Sequence, residues 1–339
     1  MTRASIIIPV RNDPARLAKL LDSFAATDWT EHEVLVVDDG STDDTAAVAA
    51  TYPLRVVRND DPPGPSAARN LGAHSAREEV VLFIDSDVVL GPGAIARVMG
   101  WFDDPEVVGV STIASEVPEN PGFVAKYCAV SDRYVSENWD PESTGHAPKT
   151  GARTCRWLST RFGAMRKRAF DEVGGFDVRF DRPCMEDAEF SIRMARKYSL
   201  VLDLDAAHTH HWPTNFWRVA RRTFLNSYLL IKVLREQNVT AEDTVSRSER
   251  MGRVLCGLAV LLLFTAPFSK IGAAASAVSF LLSAWLYRDL IRAFGRSGGT
   301  LFTLGSVLLH YLVTCAGLAG AASAIVTPSW SGRTKQEQS

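Results

Sequence analysis

The first ninety or so residues alternate between short apolar runs and segments with apolar residues every three or four positions. Ser5-Ile6-Ile7-Ile8-Pro9-Val10 is almost continuously apolar, the pattern of a parallel strand buried on both faces. Leu17, Leu20, Leu21 and Phe24 follow at helical spacing. Asp13-Pro14 just before them suits a helix start. Glu33-Val34-Leu35-Val36-Val37 predicts a second strand, and Thr42-Asp43-Asp44-Thr45 the capping end of a second helix. Leu54 to Val57 predicts a third strand and Ser66 to Ala76 a helix of small residues. Val80-Val81-Leu82-Phe83-Ile84 is a fourth, buried strand. Strand and helix alternating four times predict an α/β fold with a doubly wound, mostly parallel, Rossmann-like sheet.

Later patterns are less regular. Gly109 to Ile113 and Arg161 to Met165 predict strands, and Arg168 to Val173 a helix ended by Gly174-Gly175. Glu186 to Tyr198 predicts a helix. The span 116–151 predicts loop with aromatics. From Asn215 to Arg235, aromatics and aliphatics interleave with Arg218, Arg221, Arg222, Lys232 and Arg235. That mixture fits a helix lying in a membrane interface or an ordinary amphipathic packing helix.

Composition then shifts sharply. Three nearly uncharged stretches, 254–268, 271–287 and 301–326, predict about three membrane helices. The third is long enough for about 30 Å of hydrocarbon. The first two lie near the lower limit of about 17 residues and fit two tight spans or a re-entrant hairpin. Arg247, Arg250 and Arg253 precede the first, and Arg288, Arg292 and Arg296 separate the second from the third. Basic flanks stay inside, which predicts a cell (inner or plasma) membrane protein with its N-terminal part in the cytoplasm. Ile6-Ile7-Ile8 meets Pro9 too soon for a signal peptide.

A net charge of −2 over 339 residues gives no footprint for nucleic acid. Five cysteines without ligand spacing predict reduced thiols. The candidate chemistry sits where apolar runs end. The fourth strand runs into Asp85-Ser86-Asp87, placing two carboxylates at the carboxyl edge of a sheet, where such folds bind ligands. Carboxylates this close repel unless a cation lies near, and their hard oxygens suit Mg²⁺ or Mn²⁺ carrying a phosphate-bearing substrate. The plainer alternative is a polar turn with an Asp helix cap. His208-Thr209-His210-His211 fits a metal contact or a polar strand end.

Six segments in order carry more than any one of them. They are Ser5 to Asn12, Val37-Asp38-Asp39-Gly40-Ser41-Thr42-Asp43, Gly64 to Gly72, Asp85-Ser86-Asp87, Gly174-Gly175-Phe176-Asp177 and Glu186-Asp187. Over about 200 residues the chain resembles a family 2 glycosyltransferase with the GT-A fold. The resemblance implies that Asp39 receives the imino N–H of a nucleotide base walled by Pro9, Val10 and Arg11, and that Arg69 reaches base or phosphate. It places Asp87 on a divalent cation, Asp85 on the ribose or near the cation, and His210 on the diphosphate or metal. Asp187, beside Glu186, becomes the base for the acceptor hydroxyl in an inverting displacement. The implied partners are a UDP- or GDP-linked sugar and a membrane-associated acceptor: a polyprenyl phosphate, a lipid-linked glycan or a glycolipid. Alternatives are a growing polysaccharide as acceptor, or a non-catalytic nucleotide-sugar-binding scaffold. The Gln-x-x-Arg-Trp motif of processive synthases is missing, which favours single-sugar transfer. The implied organisation is a donor half (1–115), an acceptor half with the base (116–214), an interfacial segment (215–253), membrane helices (254–326) and a tail (327–339).

Overall fold

The computed structural model describes residues 2–27, 29–60, 63–138, 153–239 and 247–327. These fall into two compact units, one holding the described residues up to 120 with 153–211, the other 121–138 with 212–327.

The first unit opens with β1 (Ala4–Val10), α1 (Pro14–Ser23), β2 (Glu33–Asp38), α2 (Thr45–Ala49), β3 (Arg55–Arg58), α3 (Pro65–Ser75) and β4 (Val80–Ile84). These are the expected elements, shifted by a residue or two. Next come β5 (Val88–Leu90), α4 (Ala94–Gly100) and β6 (Gly109–Thr112). After α5 (Phe123–Asn138), which belongs to the second unit, follow β7 (Arg153–Cys155), β8 (Phe162–Arg166), α6 (Lys167–Val173), α7 (Glu186–Ala195), β9 (Leu200–Asp203) and β10 (His208–His210).

Among the described residues, eight strands form one sheet in the order β3-β2-β1-β4-β8-β6-β9-β7. The pairs β1–β2, β1–β4, β2–β3 and β6–β9 are parallel. β8 inserts antiparallel between β4 and β6. The fold is therefore α/β with a mostly parallel sheet, as the alternation predicts. Successive β1 side chains point to opposite faces. Ile6 and Ile8 pack with Leu17 and Leu20 on one side, while Ile7 packs with Phe83, Phe170 and Phe190 on the other. A Cβ on Gly72 would clash with Ile7 Cγ2, so the bare backbone lets α3 sit directly on β1.

Two expectations change. The span 116–151 is not all loop: α5 occupies Phe123–Asn138. Tyr127 and Val130, with Val124, Cys128 and Tyr134 beside them, pack into the second unit's own core. Val124, Tyr127, Cys128 and Tyr134 recur at helical spacing, the signal that the loop expectation overlooks. The remainder of that loop prediction, 139–151, lies outside the described residues. The short β5 and β7, three residues each, had no sequence signature of their own.

The second unit adds α8 (Phe216–Glu236), α9 (Arg247–Leu263), α10 (Lys270–Leu286) and α11 (Arg288–Val326). Asn215 caps α8, its side chain accepting from the Trp217 N–H at 2.8 Å. A Cβ on Gly320 of α11 would clash with the Phe224 carbonyl oxygen of α8, so the two backbones pack closely. Lys232 Nζ and Arg235 donate to the Thr327 and Ala324 carbonyls at the end of α11, a site that favours cations. α8 therefore packs along α11. Among the described residues, one helix, Arg288–Val326, is long and apolar enough to cross a membrane, and α10 is apolar but shorter.

Candidate active site

The carboxyl edge of the sheet gathers the motif residues of the first unit. The loop after β1 is stitched to the loop after β2. The Asn12 N–H donates to Ser41 Oγ (3.0 Å), Asn12 Oδ1 accepts from the Thr42 N–H (2.8 Å), and the Asp13 N–H donates to Thr45 Oγ1 (2.9 Å). Asn12 takes a left-handed backbone (φ 51°), which asparagine tolerates best among residues with a side chain. Thus much of both motifs builds the loops that carry the chemistry.

Asp39 sits at the end of β2 with its N–H on the Val10 carbonyl (2.9 Å). Its Oδ1 accepts from Asn59 Nδ2 at 2.6 Å. Burial pushes its carboxyl above the usual range against the pull of the Asn59 bond, with the Arg11 charge also lowering it. Arg11 is exposed and Pro9 half-buried. Val10 departs from the expected base wall: its side chain is 3 % exposed and lies in the core beneath the site, so only its backbone faces this edge. Asn59 was missed because it lies in a turn-rich stretch where asparagine is ordinary.

A second cluster forms around Arg69. This residue of α3 is 3 % exposed. One terminal nitrogen donates to Asp85 Oδ1 at 2.7 Å and the other to Glu186 Oε1 at 3.0 Å, with the guanidinium 5.7 Å from the Phe176 ring centre. Both terminal nitrogens are thus held by carboxylates at this edge. The reason is electrostatic, because buried carboxylates require a compensating cation. The fork joins the end of β4 to the first turn of α7. Asp85 is raised by burial, opposed by Arg69 and reinforced by the nearby Asp87.

Asp187 neighbours Glu186 on that turn, and its Oδ1 accepts from the Ala188 N–H. Burial, then the Glu186 charge, push its carboxyl up to about 7 against the pull of Arg69 and Arg161. Met185, just before the pair, takes a left-handed backbone (φ 64°) that costs a non-glycine residue conformational energy. The Gly174–Asp177 motif has a structural part here. Asn70 Nδ2 donates to the Phe176 carbonyl and Asn70 Oδ1 accepts from the Phe176 N–H, both at 2.8 Å. Gly175 (φ 67°) lies where a Cβ would meet Asn70 Oδ1 at 2.8 Å.

Asp87 and His210 meet through the antiparallel β5–β10 ribbon, which pairs His210 with Val88. His210 Nε2 lies 3.2 Å from Asp87 Oδ1. Arg16 of α1 lies 3.8 Å from Asp87 Oδ2. No cluster of three or more His, Cys, Asp or Glu arranged for a metal occurs among the described residues. A carboxylate and an imidazole side by side nonetheless suit a divalent cation that takes its other ligands from a phosphate substrate.

The model of the family described as Glycosyl transferase family 2 matches residues 5–174. The chain is 27% identical over 262 residues to a pre-mycofactocin glycosyltransferase of Mycobacterium tuberculosis, covering 75% of this chain and 52% of that protein. It is 34% identical over 111 residues to the poly(ribitol-phosphate) beta-N-acetylglucosaminyltransferase TarS of Staphylococcus aureus, covering 31% of this chain and 19% of TarS. The chain thus spans about half the length of the first of these curated relatives, and less of the second. In fold it resembles the mannosyltransferase PcManGT from Pyrobaculum calidifontis, solved with GDP-Man and Mn²⁺. The TM-score is 0.55 at 19% identity, covering 95% of this chain and 87% of that one. With the family model matched from β1 to the turn after α6, the chain belongs to glycosyl transferase family 2.

Proposed function

We propose that this protein transfers a sugar from a UDP- or GDP-linked donor to a membrane-associated acceptor, with inversion, using a divalent cation. The observation that carries the reading is the Arg69 fork. It draws the metal-side Asp85 and the base-side helix turn of Glu186 and Asp187 into one site at the sheet edge.

In this reading Pro9, the Val10 backbone, Arg11 and Asp39 receive the base, and Asp85 the ribose or the metal's surroundings. Asp87 and His210, with Asp85, would hold Mg²⁺ or Mn²⁺. The cation supplies charge that offsets what builds on the nucleoside-diphosphate leaving group. Asp187 takes the proton from the acceptor hydroxyl at a carboxylate oxygen. Its raised affinity for protons suits that task near neutral pH. One displacement inverts the anomeric carbon, and no covalent nucleophile is required.

Membrane attachment is supported by the apolar length of α11 and by the large side chains exposed from α10, α11 and the turn before α10, among them Phe264, Phe268, Ile271, Leu301 and Leu304. With the basic flanks inside, the catalytic unit faces the cytoplasm. An anchored catalyst meets lipid-linked acceptors at raised local concentration, which favours them over a soluble polysaccharide.

The test is the melting temperature of the detergent-purified chain with a panel of nucleotide sugars, with and without Mn²⁺. A ligand that binds only the folded state raises it. The expected result is a Mn²⁺-dependent rise with one UDP- or GDP-sugar that disappears in Asp87→Ala. A folded protein that responds to no donor would favour the scaffold alternative.

A further inference from the structure

The exposed surface of the second unit changes character twice within one stretch. Along α10 the exposed large residues are apolar, Val278, Leu281 and Leu282 among them, and end at Trp285, which is 62% exposed. The first part of α11 then exposes Arg288, Arg292 and Arg296. Their four-residue spacing places them on one helix face. Leu290, Ala293 and Phe294 are buried in the unit's apolar core with Leu309 and Val313. At Gly299 the backbone leaves the helix (φ 73°, ψ −170°). Beyond it the exposed residues are apolar again: Leu301, Leu304, Leu308 and Leu312.

Residues 288–298 therefore form a short arm with one basic face and one apolar face, bracketed by two apolar helices. Arg288 lies over the Trp285 ring, 4.8 Å from its centre, a pairing suited to the boundary between hydrocarbon and water. Asp289 takes a hydrogen bond from Arg292 at 2.6 Å and lies 3.8 Å from Arg288. Three arginines against one aspartate leave the arm positive. The break at Gly299 frees its axis from that of the apolar helix after it.

We propose that this arm lies in the headgroup layer of the membrane and that Arg288, Arg292 and Arg296 bind the phosphates of anionic phospholipids. A guanidinium meets a phosphodiester through two parallel N–H groups. An anionic headgroup, unlike a zwitterionic one, brings no ammonium to compete for that phosphate. The inference rests on the membrane-anchoring reading above.

The full chain in detergent is titrated with phosphatidylglycerol and, separately, phosphatidylcholine, and its melting temperature is followed. Phosphatidylglycerol should stabilise it at lower concentration, by roughly fivefold per arginine, and high salt should erase the difference. Arg288→Gln/Arg292→Gln/Arg296→Gln should lose the preference, while the triple lysine variant keeps part of it and serves as the folding control. Equal response to both lipids in the wild type, or an undiminished preference in the glutamine variant, overturns the proposal. So does a preference that vanishes instead with Arg218→Gln/Arg221→Gln/Arg222→Gln on α8. Alkaline carbonate extraction tests anchoring separately: a chain released from membranes ends that reading, whereas a retained chain without lipid preference ends only this one.

Discussion

Replacing Arg69 with methionine keeps much of the side-chain volume and removes the charge that Asp85 and Glu186 share. The side chains of Arg69 and Glu186 are 4% and 6% exposed, so solvent screens their contact little. Removing one partner of such a buried pair costs about 3–5 kcal/mol, because the other charge stays behind without compensation. At roughly 2–4 °C per kcal/mol for a unit of this size, the melting temperature should fall by about 10 °C. Acidification should narrow the gap, since burial and Asp87 already raise the Asp85 carboxyl, and protonating it removes a charge that has lost its partner. Arg69→Lys should recover only part, because a point ammonium does not span two carboxylates as a planar fork does. Adding Glu186→Gln to Arg69→Met should cost less than the two single effects together. The assay is thermal unfolding in detergent from pH 5 to 8, followed by near-UV circular dichroism. If Arg69→Met melts within about 2 °C of wild type across that range, the fork is not the electrostatic centre of the site.

Asp187→Asn should lower kcat by about 10²–10⁴-fold with donor binding nearly unchanged, the range for a lost general base. Because burial and Glu186 raise the Asp187 carboxyl to about 7, the ionised base is scarce below that pH. Wild-type kcat should thus rise with pH through about 7, whereas the residual rate of the variant should lack that step; a wild-type rate in the variant would remove Asp187 from the chemistry. Gly320→Ala places a Cβ against the Phe224 carbonyl and must push α8 from α11. It should destabilise the second unit by about 1–3 kcal/mol, the usual cost of overpacking. An unchanged detergent melting temperature would show that the helices separate freely.

Local pattern alone was enough for the scaffold from β1 to β4. The β-branched runs ending at Val10, Asp38 and Ile84 needed no partner information to be legible as buried strands, because apolar runs of that length between turn residues have few alternatives. The carboxylates at the ends of β2 and β4 were legible for the same reason: whatever follows a parallel strand lies at the carboxyl edge. The alternation of composition after residue 250 likewise marks apolar helices without any knowledge of their packing.

What joins distant segments was decided only in three dimensions. Nothing local distinguishes Phe162–Arg166 from a parallel strand, and its antiparallel place between β4 and β6 depends on long-range pairing. Folding brings the basic residue of α3 against carboxylates 16 and 117 positions away in sequence, a pairing no local pattern announces. Val10 resembled a site residue by motif, while strand alternation turns its side chain into the core. His210 reaches Asp87 only because a three-residue strand pairs with another too short to see in sequence. Propensity and periodicity act over a few residues. Charge compensation and strand order are settled by contacts between segments that the sequence separates.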